Sequence, residues 1–205
     1  MNKYIESLEQ EFSLIKNGFK TEEKRALNDY QSSDDEYVTK LAFLAYRSDV
    51  YQVRMYGTFL FGHLSEDEEI LAFMRDKVSK DDNWRFQEVL AKAFDEFCKK
   101  VGYEKALPVI DEWLKNDNPN TRRALTEGLR IWTSRPYFKE NPNEAIRRIA
   151  DLKEDASKYV RKSVGNALRD IGKKFPELIK DELNGWNLES KEVSQVYKSA
   201  SRLIF

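Results

Sequence analysis

The sequence has one cysteine, one histidine, five prolines and eight glycines in 205 residues. Each scarcity excludes something. A lone Cys98 cannot close an internal disulfide, which fits a reducing cytoplasm. A lone His63 rules out a multi-histidine metal site and any arrangement that needs two imidazoles. Few glycines and prolines leave little material for tight hairpin turns, and no alternating run of β-branched residues is bounded by such turns. No run of eighteen apolar residues occurs, and the start, MNKYIESLEQEF, is amphipathic and acidic with no apolar signal core. Neither a membrane span nor a secretory leader is expected. No Gly-rich phosphate loop is present, and no cofactor is implied.

What remains is charge and helical spacing. Charged residues make up 35% of the chain and hydrophobic ones 40%, with a formal net charge of −1. Apolar residues recur every three or four positions. Tyr4, Leu8, Phe12 and Ile15 form one stripe, with Gly18 as its expected stop; Thr21, Lys24 and Leu27 open a second; Tyr37, Leu41, Leu44 and Ala45 form a third. Polar breaks separate them at SSDD (32–35), SEDEE (65–69), SKDDN (79–83), NDNPN (116–120), KENPN (139–143) and KEDAS (153–157). SEDEE reads as a turn and helix cap in preference to a carboxylate metal site. Trp113, Trp132 and Trp186 read as fillers between stacked helices, and Cys98 as a buried thiol.

The breaks recur. Asp49, Asp82, Asp117 and Asp155 are spaced 33, 35 and 38 residues apart, each before a helical stretch. An arginine follows three of them, in SDVYQVR, NDNPNTR and EDASKYVR. A last, weak copy is KEVSQVYKSASRLIF. Helix pairs at such a period mark an α-solenoid of HEAT or armadillo type, in which no unit buries its apolar face alone. The expectation is one all-α domain over residues 1–205, a curved solenoid with its aspartates capping inner helices. Residues 119–175 hold fourteen Lys and Arg against seven Asp and Glu, while residues 1–80 hold eleven against fifteen. If Arg122, Arg123, Arg130, Arg161, Lys162 and Arg169 share the concave face, they make a basic groove for an anionic partner. The alternative is that they are solvated faces paired to Glu127, Asp151 and Asp170.

Two segments resemble a known family. The RR-A-x-x-E-G-x-R run from Arg122 to Arg130 and the V-x-K-x-x-G-x-x-L-R-D run from Val160 to Asp170 are similar to the DNA alkylation repair family, the HEAT-like-repeat DNA glycosylases of the AlkC and AlkD kind. The resemblance covers residues 35–186 and is best over 79–176. It implies a monomer that binds duplex DNA, damaged or distorted, with Arg123 and Arg169 on phosphates. The family's W-W-x-x-x-D motif matches Asn83-Trp84-Arg85-Phe86-Gln87-Glu88, so the second Trp is kept and Glu replaces Asp. The resemblance thus implies Trp84 and Glu88 as site residues. An alkylated purine leaves with positive charge building on the deoxyribose, which a carboxylate stabilises and a Trp face meets by cation–π contact. On a helix the two would share a face at i, i+4. Read without the family, Trp84 is a packing residue and Glu88 an exposed partner of Lys92.

Two departures bear on activity. An aromatic of the AlkD-type surface falls at Asn166, and FKTEEKRALNDYQSSDDEY is short and acidic where the family carries an aromatic helix that presses on the damaged pair. Three functions follow: a DNA-binding relative with weak or absent excision, an active N3- or N7-alkylpurine glycosylase using Trp84 and Glu88, and a protein-binding helical scaffold.

Overall fold

A computed structural model describes residues 1–204, and every regular element among them is helical. Their contacts fall into two compact units, Met1–Gly102 and Tyr103–Phe205. The expected last helical copy ends at Phe205, which lies outside the described residues.

The first unit contains α1 (Asn2–Phe12), α2 (Lys20–Gln31), α3 (Asp35–Tyr46), α4 (Tyr51–His63), α5 (Glu68–Asp76) and α6 (Phe86–Val101). Helix α4 is its axle and packs on α1, α2, α3, α5 and α6. That placement explains why YQVRMYGTFLFGH lacks a polar face: from Gln52 to His63 only Arg54 escapes full burial. Close approach needs small residues. A Cβ on Gly62 would stand 2.8 Å from the Ala93 backbone of α6, and one on Gly57 would stand 2.9 Å from the Ala42 carbonyl of α3. Aromatic rings fill the wider gaps. Phe43, Tyr46, Phe61 and Phe73 interlock at centroid distances of 4.9–6.0 Å, and Phe86 joins them at 6.3 Å from Tyr46.

The second unit contains α7 (Tyr103–Leu114), α8 (Pro119–Trp132), α9 (Pro136–Glu140), α10 (Pro142–Ala150), α11 (Lys158–Gly172), α12 (Pro176–Asn184) and α13 (Lys191–Ala200). Its axle is α11, packed on α8, α10, α12 and α13. Trp113, Trp132 and Trp186 are buried, as expected of fillers between helices, and Cys98 is a buried thiol in the first unit.

Helix ends follow local chemistry. Asp34, Asp67, Asn118 and Ser190 accept backbone N–H bonds at the starts of α3, α5, α8 and α13. Asp67 caps α5, so SEDEE is the polar turn expected. Gly102, at φ +91°, stops α6 in a conformation that costs other residues a Cβ clash. Gly18 also has positive φ, but α1 has already ended at Phe12.

The periodic aspartates are not caps as expected. Asp49, Asp82 and Asp117 are exposed. The repeating acceptor sits one residue earlier in those three breaks. Ser48, Asp81, Asn116 and Asp155 each accept the N–H two residues on, from Val50, Asn83, Asn118 and Ser157, at 2.8–3.1 Å. These are Asx-type turns that set the chain's entry into the next helix. The arginine six residues after three of them completes the device. Arg54, Arg122 and Arg161 each reach back to two carbonyls of their own turn. Arg54 also grips Asp81 at 2.8 Å, and Arg122 grips Asp155 through two bonds of 2.6 and 2.8 Å. Each bond ties one repeat to the turn of the next.

Candidate nucleic-acid interface

In the first unit the candidate site is the entry to α6. Asp81 accepts the Asn83 N–H and Asn83 accepts the Arg85 N–H, so two successive turns delay the helix to Phe86. Trp84 therefore lies in the turn, not on the helix as the i, i+4 reading required. Glu88 lies on the first helical turn, between the buried Gln87 and Val89, and is itself exposed. Trp84 is 59% exposed, which removes the packing reading of that residue. Lys92 does not pair with Glu88. It bonds Glu23 of α2 at 2.7 Å and lies over the Phe19 ring. Glu88 makes no ion pair or side-chain hydrogen bond with any described residue. An exposed carboxylate with no described partner, four residues after an exposed Trp, is an arrangement the core does not need.

Arg85, which the sequence left as a spacer, organises this surface. Its guanidinium carbon is 4.6 Å from the Trp84 ring centroid and 5.2 Å from that of Tyr51. The stack holds Trp84 upright without burying it, each contact contributing about 0.5–1 kcal/mol at such exposure. The only advance signal for it was the alternation of aromatic and cation in Trp84-Arg85-Phe86.

In the second unit the predicted cations are distributed unequally. Arg122 is the fastener described above, and only 13% of its side chain is exposed. Burial raises the Asp155 pKa, but the bonds from Arg122 and the Ser157 N–H outweigh it and hold the carboxyl below its ordinary value. Arg130 bridges Glu127 and Asp170, each at 3.0 Å. Arg169 bonds Asp170 through Nε and Nη2 and donates from Nη1 to the Asn166 side-chain oxygen at 3.2 Å. Lys173 also reaches Asp170. Burial again pushes Asp170 up, and the Lys173, Arg169 and Arg130 contacts pull it lower. Thus Glu127 and Asp170 pair with the arginines as the solvated-face reading expected. Arg123 is half-buried on α8, and Lys162 is exposed on α11. Asn166 holds Arg169 in place where the resemblance implies an aromatic.

The remaining candidates are structural. His63 stacks on Tyr30 at 4.9 Å, and burial lowers its pKa against the opposing pull of Glu96. The acidic segment FKTEEKRALNDYQSSDDEY spans α2 and the start of α3, and Tyr30 of α2 is used in that stack. Among the described residues no cluster of three or more His, Cys, Asp or Glu could hold a metal ion, and no helix is long and apolar enough to cross a membrane.

Residues 17–191 match a family model described as DNA alkylation repair enzyme. The chain is similar to the crystal structure of AlkD2 from Streptococcus mutans, with 75% identity and a TM-score of 0.96, covering 99% of this chain and 98% of that one. It is 26% identical to the alkylpurine DNA glycosylase AlkC of Pseudomonas fluorescens, whose structure was determined bound to DNA containing an abasic site analog. There the TM-score is 0.64, over 83% of this chain and 47% of AlkC. It is also 32% identical to the YhaZ protein of Bacillus subtilis over 105 residues. That match takes in 49% of this chain and 29% of YhaZ, so the chain spans under a third of that relative and under half of AlkC.

Proposed function

This chain belongs to the DNA alkylation repair enzyme family, and we propose that it binds duplex DNA as a monomer in the cytoplasm, with weak or absent excision of alkylated bases. The observation that carries this reading is the entry to α6, where Trp84, stacked on the Arg85 guanidinium, and Glu88, without an ion pair to any described residue, are both exposed. DNA binding by the relative AlkC supports the choice of ligand.

In this reading Trp84 meets the sugar or base of one nucleotide, and Glu88 lies beside it. Arg123 and Arg169 hold phosphates, with Arg130, Arg161 and Lys162 adding positive potential. Arg122 contributes through the fold, because it is more buried than Arg169 and ties Asp155 to two carbonyls, whereas the more exposed Arg169 meets phosphate through the N–H groups that Asp170 and Asn166 leave.

The physical case for weak chemistry is electrostatic. Excision needs a carboxylate that stabilises positive charge as it builds on the deoxyribose. Two unit charges 4 Å apart attract by about 1 kcal/mol in water and about 4 kcal/mol at an effective dielectric of 20. Glu88 is hydrated, so it acts strongly only after DNA covers it. One face of Trp84 carries the Arg85 guanidinium. A cationic purine must compete with that arginine or use the other face. At Asn166 a small amide ligates Arg169 and offers no ring.

The test is single-turnover release of 3-methyladenine and 7-methylguanine from methylated duplex DNA, with duplex binding measured at two salt concentrations on the same samples. Salt-sensitive binding with little or no release is the expected result. Release that disappears in Glu88→Gln would instead establish an active glycosylase. Absence of both binding and release would favour the protein-scaffold reading. Arg123→Glu and Arg169→Glu should weaken binding to all duplex sequences alike and flatten the salt dependence by about one phosphate contact each.

A further inference from the structure

The second unit has a cleft of about 220 Å³ between α11 and α13. Lys158, Arg161 and Lys162 line it from α11, and Glu192, Gln195 and Ser199 from α13. The two helices approach closely: a Cβ on Gly165 of α11 would stand 2.7 Å from Ser199 of α13. Three cations face one carboxylate, an excess of two positive charges in a small concave space. Arg161 is pre-positioned, because its Nη1 is held by the carbonyls of Asp155 and Ala156 while Nε and Nη2 stay available. Lys158 and Lys162 are exposed.

Tyr159, next in the chain to the lining residue Lys158, is 60% exposed on the first turn of α11. The Lys158 ammonium lies 5.1 Å from its ring centroid, which ties the aromatic to the basic cleft. The exposed ring thus carries the ammonium of one lysine that lines the cleft. A cationic groove with an aromatic platform at its edge is what unpaired nucleic acid recognises, the phosphate by charge and the base by its face. Duplex DNA offers no free base face there.

We propose that the cleft between α11 and α13 binds one unpaired nucleotide of a DNA strand, its phosphate on Arg161 and Lys162 with Lys158 beside it, and its base stacked on Tyr159. The choice of DNA rests on the proposed function, and the site shares Arg161 and Lys162 with that reading but uses neither Trp84 nor Glu88.

The experiment is fluorescence anisotropy of the full chain with a labelled six-nucleotide thymidine strand and, separately, a labelled twenty-base-pair blunt duplex. Tyr159→Ala should weaken the single strand about tenfold, the scale of one lost base–aromatic stack, and change duplex affinity less than twofold. Lys162→Glu should weaken the single strand at least as much, more at low salt. Free thymidine monophosphate, titrated as competitor, separates the sources: weak competition points to a strand, and competition at matched concentration to a free nucleotide. A Tyr159→Ala protein that holds the single strand as the parent does, or loses duplex and single strand equally, overturns the proposal, as does a parent that binds no single strand. Single-strand binding without duplex binding would overturn the proposed function and leave this site standing.

Discussion

Met1–Gly102 carries fifteen Lys and Arg against twenty Asp and Glu, and Tyr103–Phe205 carries twenty against sixteen. By charge alone the second unit is the half suited to an anionic ligand. The ion pairs change that comparison. In the second unit Arg122, Arg130, Arg148 and Arg169 each hold at least one carboxylate, and two of those carboxylates, Asp155 and Asp170, lie on or beside α11. In the acidic first unit Glu88 remains uncommitted at the surface. An excess of positive residues in a helical repeat protein is therefore partly the material of repeat-to-repeat fastening, and only the remainder is available to a ligand. The same fastener appears in both units, Arg54 on Asp81 in one and Arg122 on Asp155 in the other.

Breaking the two fasteners gives the largest expected effects and ranks the units. Asp155→Ala leaves the Arg122 guanidinium buried and short of its acceptor, a loss of about 3–5 kcal/mol for such a pair. Asp81→Ala should cost less, about 2–3 kcal/mol, because the Arg54 side chain is 22% exposed against 13% for Arg122 and water can replace the lost carboxylate. Urea denaturation of both variants checks the order. Equal losses, or a larger loss in Asp81→Ala, would remove the distinction.

Those fasteners also show what the sequence could reveal. The period was legible because turns and helices recur every 33–39 residues, and the arginines were visible in it. Their partners were not. Asp49, Asp82 and Asp117 share the period with the true acceptors one residue earlier, and only backbone geometry decides which side chain turns inward. The start of α6 was misplaced for the same reason: two consecutive Asx turns consume Asp81–Arg85, and a helical wheel carries no sign of them. Trp84 and Glu88 were found by motif resemblance; Arg85 and Tyr159 pass in a sequence as ordinary helix-surface residues until their exposure and ring contacts are known.

One carboxyl in each unit should respond to acid in the opposite direction to the other, Glu22 in the first and Asp155 in the second. Glu22 on α2 is fully buried, and both its carboxyl oxygens lack a hydrogen-bond partner. Burial raises its pKa above the ordinary value, only partly offset by its own backbone N–H. The folded chain thus holds this proton more tightly than the unfolded one. Its contribution is fully present below about pH 4.3, the unfolded value, and is lost as pH rises through the raised folded value. Asp155 behaves oppositely: its contribution is present above its unfolded value of about 3.9 and is lost as pH falls through its lowered folded value. Glu22→Gln should therefore gain about 1–2 kcal/mol at pH 7.5 and flatten the decline above pH 4.3, whereas Asp155→Asn should flatten the acid arm below pH 4. Thermal melts from pH 2.5 to 7.5 separate them. A Glu22→Gln protein less stable than the parent at pH 7.5 would mean that the buried carboxyl has a partner after all.

Arg130→Ala tests the Asp170 cluster, which has cations to spare. Asp170 keeps Arg169 and Lys173 when Arg130 is lost, so the expected cost is under about 1 kcal/mol. Duplex binding should fall only modestly, since one partly neutralised charge is removed. A loss as large as that of Asp155→Ala would make Arg130 a fastener of the same rank.

The smallest expected effect on stability is at Glu88, and its smallness is the point of the comparison. Glu88 has no partner to lose, so Glu88→Gln should shift the free energy of unfolding by no more than about 0.5 kcal/mol. Its neighbour on the same helix gives the control: Lys92→Ala breaks the 2.7 Å bond to Glu23 and the contact over Phe19, and should cost up to about 1 kcal/mol. If Glu88→Gln proves as costly as Lys92→Ala, the carboxylate is part of the fold and the reason for assigning it to a ligand disappears. If it is neutral in denaturation yet alters DNA binding or base release, the exposed acid at the start of α6 is held for the ligand, in the half of the molecule that net charge alone would have passed over.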